Sequence, residues 1–412
     1  METAIHEDIL IVGAGIGGLT TALGLHRLGI RSLLLESSDS LRITGFALTM
    51  WTNAWRALDC VGIGDSLRAK SLQIQDFQIA AGTPSQTSPV LAPDTDAKFC
   101  KSEIRCVRRK DLLETLEREL PQGTIRYSSK VVHIEESGKF KFVHLADGSV
   151  YRTKVLIGCD GVNSRVAKFL GLQGPVGAGR SAIRGYVVYL DNHGFKPKFH
   201  AYFGGGTRFG FAPIDEKSLY WFCTFSPSLF NYDENEQDPL KMKQFVLRNI
   251  HNASKDVKEV VERTELDCIS IAAIKLRLPW NVLLGNIVKN NVCLVGDALH
   301  PMTPELGQGG SSTLEDSIVL ARCLGEALSS QPTYNEKEED EAYIRMERGL
   351  QKYAKERRWR SFTLISTAYV VGTIQQSDSK LIGFIWKKFL SRYYIRNAMR
   401  IANFDFGELI VP

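Results

Sequence analysis

The stretch from Asp8 to Gly18, DILIVGAGIGG, decides the fold. Asp8 to Val12 is a short apolar run that stops at glycine, which predicts a buried strand. Leu19, Ala22, Leu23 and Leu25 to Leu28 then recur at helical spacing, and Gly29 closes the run where a left-handed cap is wanted. Ser32 to Glu36, SLLLE, predicts a second buried strand. Strand, helix and strand in this order make a βαβ unit with parallel strands.

The glycines of the first turn follow a G-x-G-x-x-G pattern at Gly13, Gly15 and Gly18, with Ala14, Ile16 and Gly17 between them. Gly13 allows the tight turn, Gly15 lets the backbone approach a pyrophosphate, and Gly18 permits close helix–strand packing. The unpaired N–H groups of the helix start face the phosphates. Glu36, followed by Ser37, lies 18 residues beyond Gly18 at the end of the second strand. A carboxylate there can hold a ribose 2′-hydroxyl and repels a 2′-phosphate, so the expected dinucleotide is NAD or FAD.

Outward from this unit, 412 residues exceed one ordinary domain. At roughly 150 residues each, two to three domains are expected, or two interleaved ones. Hydrophobic residues at 44% and charged residues at 24% exclude a disordered chain. A scattered net charge of +5 gives no electrostatic footprint for nucleic acid. None of the eight cysteines forms a C-x-x-C pair, so no metal site is expected and the thiols read as buried in a reducing compartment. The uncharged run Ile9 to His26 is too rich in glycine for a membrane span, and Ser361 to Ser377 too polar. Without a leader or transit pattern near the first strand, the expectation is a soluble cytoplasmic protein with no transmembrane helix. Lys387 to Arg400, KKFLSRYYIRNAMR, is expected as a helix packed on the body, with peripheral membrane contact the lesser reading. Oligomeric state is not legible.

Residues 124 to 158 read as an antiparallel meander turning at Ala146-Asp147-Gly148. Residues 180 to 280 read as a long β-rich region carrying most of the aromatic side chains, after a Pro/Ser/Thr-rich loop at Gly82 to Pro93. A third buried strand, NVCLVG at 291 to 296, precedes a helix at Ser311 to Leu328, and the chain from Glu339 on is mostly helical. Asp297 follows that strand, well placed to accept from sugar-alcohol hydroxyls. The turn Pro304-Glu-Leu-Gly307-Gln-Gly309-Gly310 offers bare N–H groups at a helix start, which stabilise a neighbouring negative charge. One cofactor with an adenosine end and a second anionic end explains both motifs. A third motif, Gly158-Cys-Asp160-Gly161-Val-Asn-Ser164, taken alone reads as an Asp-Gly turn.

Together the three motifs resemble the group A FAD-dependent monooxygenases, the p-hydroxybenzoate-hydroxylase-like enzymes. LRITGFALTMWTNAWRALDCVGIGDSL at 41 to 67, with VRRKDLLETLERELP at 107 to 121, is most similar to plant monooxygenases of the salicylate-hydroxylase and zeaxanthin-epoxidase type. The resemblance runs from about residue 7 to 360. It implies an α/β fold: a βαβ (Rossmann-like) FAD-binding domain interleaved with a mostly antiparallel β-sheet substrate domain, plus C-terminal helices. The expected boundaries are 1–72, 106–178 and 281–355 for the FAD-binding domain, 73–105 and 179–280 for the substrate domain, and 356–412 for the helical segment. FAD would be resident, with NADPH or NADH as transient reductant and O2 as co-substrate. A flavin C4a-hydroperoxide would oxygenate a small aromatic, phenolic or unsaturated compound.

Carried over by residue, Gly13 to Gly18, Glu36 and Ser37 would hold the ADP half. Arg109, and less directly Arg42, would meet the phosphate or ribityl region, and Val132 the adenine through its backbone. Asp160 would contribute to the FAD and nicotinamide surface. Asp297 would hold the ribityl chain, Gly307, Gly309 and Gly310 the flavin ring, and Pro304 its face. Tyr202, Phe211, Pro213, Trp221 and Phe222 would line the substrate pocket. No spacing points to a catalytic base, and His300 is read as structural. Ala167 stands where the family's Asp-Gly motif usually carries arginine, which puts nicotinamide use in question. The rival readings are a flavin reductase or dehydrogenase acting on an isoprenoid, and a non-catalytic FAD-binding paralogue.

Overall fold

A computed structural model describes residues 4–43, 45–81, 88–89, 102–204, 206–230, 238–328, 336–375 and 391–410. An eight-stranded sheet holds β1 (Ile5–Val12), β2 (Leu33–Leu35), β7 (Ile125–Arg126), β8 (Val131–Ser137), β9 (Phe140–Leu145), β10 (Val150–Gly158), β16 (Val288–Lys289) and β17 (Val292–Leu294). A seven-stranded sheet holds β4 (Asp76–Ala81), β5 (Ser88–Pro89), β11 (Val176–Val188), β12 (Lys198–Gly204), β13 (Thr207–Pro213), β14 (Ser218–Phe225) and β15 (Ile269–Leu276). A short ladder pairs β3 (Ala47–Met50) with β6 (Arg105–Arg108). The helices are α1 (Ile16–Arg27), α2 (Thr52–Cys60), α3 (Gly64–Arg68), α4 (Arg109–Arg118), α5 (Arg165–Phe169), α6 (Pro239–Asn249), α7 (Lys255–Glu262), α8 (Pro279–Leu284), α9 (Gly309–Leu328), α10 (Glu336–Gln375) and α11 (Ser391–Ala402).

In the first sheet β1 is central and parallel to both neighbours, β2 and β10, and β10 is parallel to β17. Ile9, Leu10 and Ile11 are buried because helices cover both faces, as parallel sheets require. The expected meander at 124 to 158 is only half right. Val150 to Thr153 pair antiparallel with Lys141 to His144, but Ile9 to Val12 pair parallel with Val155 to Gly158. The sequence shows the switch: burial alternates through Lys154 and then becomes continuous at Val155 to Gly158. The strand therefore leaves a half-solvated hairpin and enters the doubly covered core.

The second sheet runs in the order β15-β11-β14-β13-β12-β4-β5 and is antiparallel except where β12 meets β4. The expectation of a long β-rich region at 180 to 280 holds for its strands and did not include α6 and α7. Met242, Phe245 and Val246 in α6, and Val257, Val260 and Val261 in α7, are buried at three- and four-residue spacing. Asp238 starts α6 by accepting from Leu240 N and Lys241 N. Both helices pack their apolar stripes on one face of the sheet, beside Phe211, Trp221 and Phe225. The other face turns toward α9 and the first sheet.

Helix α9 is the shared spine. Ser317 Oγ donates to Gly17 O at 3.1 Å, locking α9 to α1, and it also donates to Thr313 O. Arg357 of α10 reaches α9, with its Nε donating to Asp316 Oδ1 at 2.5 Å. Ala398, Ile401 and Ala402 of α11 are buried against the body. Residues 387–390 of the basic-aromatic segment, 90–93 and the rest of the Pro/Ser/Thr-rich loop except 88–89 lie outside the described residues. Among the described residues no helix is long and apolar enough to cross a membrane.

Candidate active site

The first glycine turn stands where β1, β2 and β10 end together. Gly13 has φ +100°, a conformation that side-chain-bearing residues avoid, and its N–H donates to Leu35 O at 2.8 Å. A Cβ on Gly18 would lie 1.9 Å from Gly13 O, whereas one on Gly15 would meet nothing within 4 Å. Gly18 therefore seats the helix on the strand, and Gly15 faces open space. Glu36 is buried, and its Oε2 accepts from Ala14 N at 2.8 Å while its Oε1 accepts from Ser38 N and Ser37 Oγ. The carboxylate binds the two turns together, with lone pairs left for a further donor. Arg42 reaches back to Ser37 and Ser38 over 3.5 and 3.3 Å.

The second turn is built from β17 onward. Asp297 is exposed, while Gly296, Ala298 and His300 around it are buried. Gly296 N donates to Asp316 Oδ2 at 2.9 Å, which fixes the turn to α9. The same oxygen lies 2.6 Å from His300 Nε2, and both residues are fully buried. Burial pulls the His300 imidazole down, but Asp316 outweighs it and raises the pKa above the ordinary value. His300 is therefore a support beneath the turn. Glu305 is likewise tied down, by Arg180 Nη1 at 2.5 Å.

Between the two turns lies a cavity of about 860 Å³. Of the residues expected at the cofactor, Gly15, Ile16, Gly17, Arg42, Arg109, Asp297, Pro304, Gly307, Gly309 and Gly310 line it. Burial lowers the Arg109 guanidinium, Asp297 opposes that, and Arg184 and Arg42 add to the lowering. Its Nε is buried with no hydrogen-bond partner among the described residues. Arg109 thus sits among two further cations, Arg42 and Arg184, and one carboxylate, Asp297, and the surplus positive charge suits a diphosphate.

Other expected residues stand elsewhere. Asp160 Oδ1 accepts from Ser164 Oγ and Oδ2 from Arg165 N, so its carboxylate holds the start of α5, between Cys159 and Gly161 that line the cavity. Val132 is exposed and its carbonyl accepts from Arg165 Nη1 at 3.1 Å. Ala167 is buried in the core. Of the five expected pocket residues, only Phe222 faces the cavity. Tyr202, Phe211 and Trp221 belong to the cluster under α6 and α7, and Trp221 Nε1 donates to Thr264 Oγ1 at 2.8 Å. Pro213 pairs with Leu219 of that same face. Successive strand residues point to opposite faces, so missing the two helices assigned these side chains to the wrong side. The cavity face instead carries Arg184, Arg208, Tyr220, Phe222 and Thr224, joined by Phe77 and Phe199. Their signal was present as two-residue steps from Phe222 to Tyr220 and Thr224.

A family model described as "FAD binding domain" matches residues 6–340. Monooxygenase 2 of Arabidopsis thaliana is 48% identical over 415 residues, covering 100% of both chains. The chain belongs to the FAD-binding-domain family of monooxygenases. Monooxygenase 1 of Arabidopsis thaliana is 33% identical, over 97% of this chain and 99% of its own. A crystal structure of Klebsiella pneumoniae HpxO complexed with FAD and uric acid shares the fold, with a TM-score of 0.78 at 21% identity over 97% of this chain and 96% of the other.

The protein is thus an FAD-dependent monooxygenase, an oxidoreductase with the resembled fold class. Its residues fit the cofactor this family binds. The open space above Gly15 admits a phosphate against bare backbone, and Arg109 presents a buried N–H with no acceptor among the described residues. The second turn places Asp297 and the N-terminus of α9 on the same cavity. For this FAD monooxygenase, the two glycine turns were legible in the sequence, and the aromatic wall was only half so.

Proposed function

We propose that this FAD monooxygenase takes electrons from NADPH or NADH and places one atom of O2 on a small aromatic or phenolic compound. The observation that carries the reading is the continuity of one cavity from the glycine turns to an aromatic sheet face. In this reading Gly13 to Gly18, with Glu36 and Ser37, hold the ADP half. Arg109 and Arg42 neutralise the diphosphate, Asp297 holds the ribityl chain, and Gly307, Gly309, Gly310 and Pro304 frame the ring system. Bound FAD supplies the redox chemistry that activates O2. The protein's part is to orient the substrate ring and exclude water.

Trp51, Phe77, Phe199 and Phe222 form a stepped array, with centroids 5.7, 5.4 and 6.1 Å apart. Such an array supports a planar substrate, because offset ring contacts are favourable at these spacings. In the same reading, residues 1–72, 106–178 and 281–355 form the cofactor lobe, and 73–105 and 179–280 the substrate lobe. Cys106, Cys223, Cys293 and Cys323 are free and buried, which supports work in a reducing cytoplasm.

The test is oxygen incorporation. Purified yellow protein is supplied with NADPH or NADH, 18O2 and a panel of phenols and phenolic acids. At least one compound should accelerate reductant oxidation and carry one 18O atom into product. Stimulated oxidation with no labelled product from any compound would reject the substrate assignment.

A further inference from the structure

Three tryptophans are buried among the described residues: Trp51, Trp55 and Trp221. A buried indole N–H ordinarily finds an acceptor. Trp55 Nε1 donates to Met50 O at 3.3 Å, and Trp221 Nε1 to Thr264 Oγ1 at 2.8 Å. Trp51 Nε1 is buried with no hydrogen-bond partner among the described residues, and Trp51 lines the cavity. The same lining holds Thr303 Oγ1 and the Nε atoms of Arg109 and Arg208 in that condition. A hydroxyl can turn and change role, and a guanidinium carries further donors and a charge. The indole N–H is neutral, donates only and stays in its ring plane.

Trp51 stands at the junction of β3 and α2, where its backbone is extended. Its backbone N–H donates to Ser311 Oγ of α9 at 3.5 Å, and its carbonyl accepts from Ala54 N at 2.8 Å. The indole is therefore held from both ends. It stacks on Phe77 with centroids 5.7 Å apart and planes 21° from parallel. Its nitrogen faces the second glycine turn, since a Cβ on Gly307 would lie 3.0 Å from Nε1. Glycine at 307 leaves that N–H uncovered. Of the four rings in the stepped array, Trp51 alone carries a polar atom. The donor thus sits where the aromatic array meets the turn beside α9.

We propose that Trp51 determines specificity by donating its indole N–H to a neutral carbonyl oxygen on the substrate, whose planar ring lies along Phe77 and Phe199. A ring without that oxygen covers the N–H and leaves it unpaired, which costs binding. A site built to pair a polar group rejects the analogue that lacks it. This deepens the functional reading above and rests on it. It is tested without turnover, so the two can fail separately.

The experiment uses FAD-loaded protein without oxygen or reduced nicotinamide, and reads ligand binding from perturbation of the flavin absorbance. Indanone and para-hydroxyacetophenone are titrated beside indane and para-ethylphenol, which match them in shape without the carbonyl. The ketones should bind at least about fivefold more tightly, as a neutral hydrogen bond together with an avoided unpaired donor requires. Trp51→Phe keeps a ring on Phe77 and removes the N–H, and it should bring each ketone within about twofold of its partner. Trp51→His, whose ring keeps an N–H, should retain part of the preference. Without ligand, Trp51→Phe should match the parent in flavin content, flavin absorbance maximum and melting temperature. Equal binding of ketones and partners by the parent protein, a preference that survives in folded Trp51→Phe, or no flavin response to either ketone would overturn the proposal. Loss of flavin from folded Trp51→Phe without ligand would assign the N–H to the cofactor and overturn it too. Labelled oxygen appearing in a phenol while the parent shows no ketone preference would overturn it and leave the oxygenase reading intact.

Discussion

A methyl group on Gly18 would sit 1.9 Å from the carbonyl oxygen of Gly13, so helix α1 can rest on β1 only while position 18 lacks a side chain. Gly18→Ala should force the helix off the strand and destabilise by more than about 4 kcal/mol, the range of severe steric defects. The variant should be recovered colourless and poorly folded. Gly15→Ala is the contrasting case, since a Cβ there meets nothing within 4 Å and its φ is −79°. That variant should keep the apo melting temperature and weaken FAD binding, measured by flavin retention on gel filtration.

Asp297 projects into the cavity from a turn whose position is fixed by Asp316 rather than by itself. Asp297→Ala should therefore fold with a melting temperature close to the parent's while losing most of the bound flavin. The ratio of absorbance at about 450 nm to protein absorbance checks it. Full flavin occupancy would remove Asp297 from the cofactor site.

The buried trio His300, Asp316 and Arg357 makes stability depend on pH in two windows. Burial pushes the Asp316 carboxyl up, but His300, Arg357 and Gly296 N–H outweigh it and hold the pKa at about 2. Its stabilisation is present above the ordinary carboxyl value and is lost as pH falls toward about 2. His300 is shifted upward, so its contribution is complete below about pH 6.5 and is lost as pH rises through the raised value. Melting temperature should decline on the alkaline side, and His300→Gln should flatten that decline. Asp316→Asn should cost about 3–5 kcal/mol near neutrality, because it removes one of the two carboxylates facing buried Arg357 and the anionic partner of His300.

Trp221 and Phe222 are neighbours in sequence and face opposite sides of one sheet. Trp221→Phe should lower stability by about 1–3 kcal/mol, through the lost bond to Thr264 and the unfilled volume. It should leave ligand affinity and flavin content unchanged. Phe222→Ala should keep the fold and weaken phenolic ligands by about tenfold, since each good ring contact is worth about 0.5–1.5 kcal/mol beyond its area. Titration of the flavin spectrum and a thermal melt of each variant distinguish the two.

What could be read before any coordinates follows from how locally each feature is encoded. The β1–turn–α1–β2 unit and Glu36 are local: one glycine pattern and one strand end specify them, and Ala14 N meets Glu36 within that unit. The turn at Asp297 and the start of α9 were equally legible, displaced by two residues because Gly309 and Gly310 already belong to the helix. The inward face of the second sheet was not legible. Alternation marks two faces without saying which is covered, and that choice rests on α6 and α7, whose helical spacing was overlooked in a stretch rich in strands. Asp160 stands between two roles, since an aspartate at a strand end can serve a ligand or a helix start, and here Ser164 and Arg165 donate to it. Arg208 gave no signal, because a buried guanidinium on a cavity wall is visible only in three dimensions.

Ala398 and Met399 of α11 line the same cavity as Gly15, so the compartment is enclosed by segments far apart along the chain. During synthesis the nucleotide loops emerge long before the chamber they serve is sealed. A ribosome halted before α11 would display a half-open vessel, and productive loading awaits that helix.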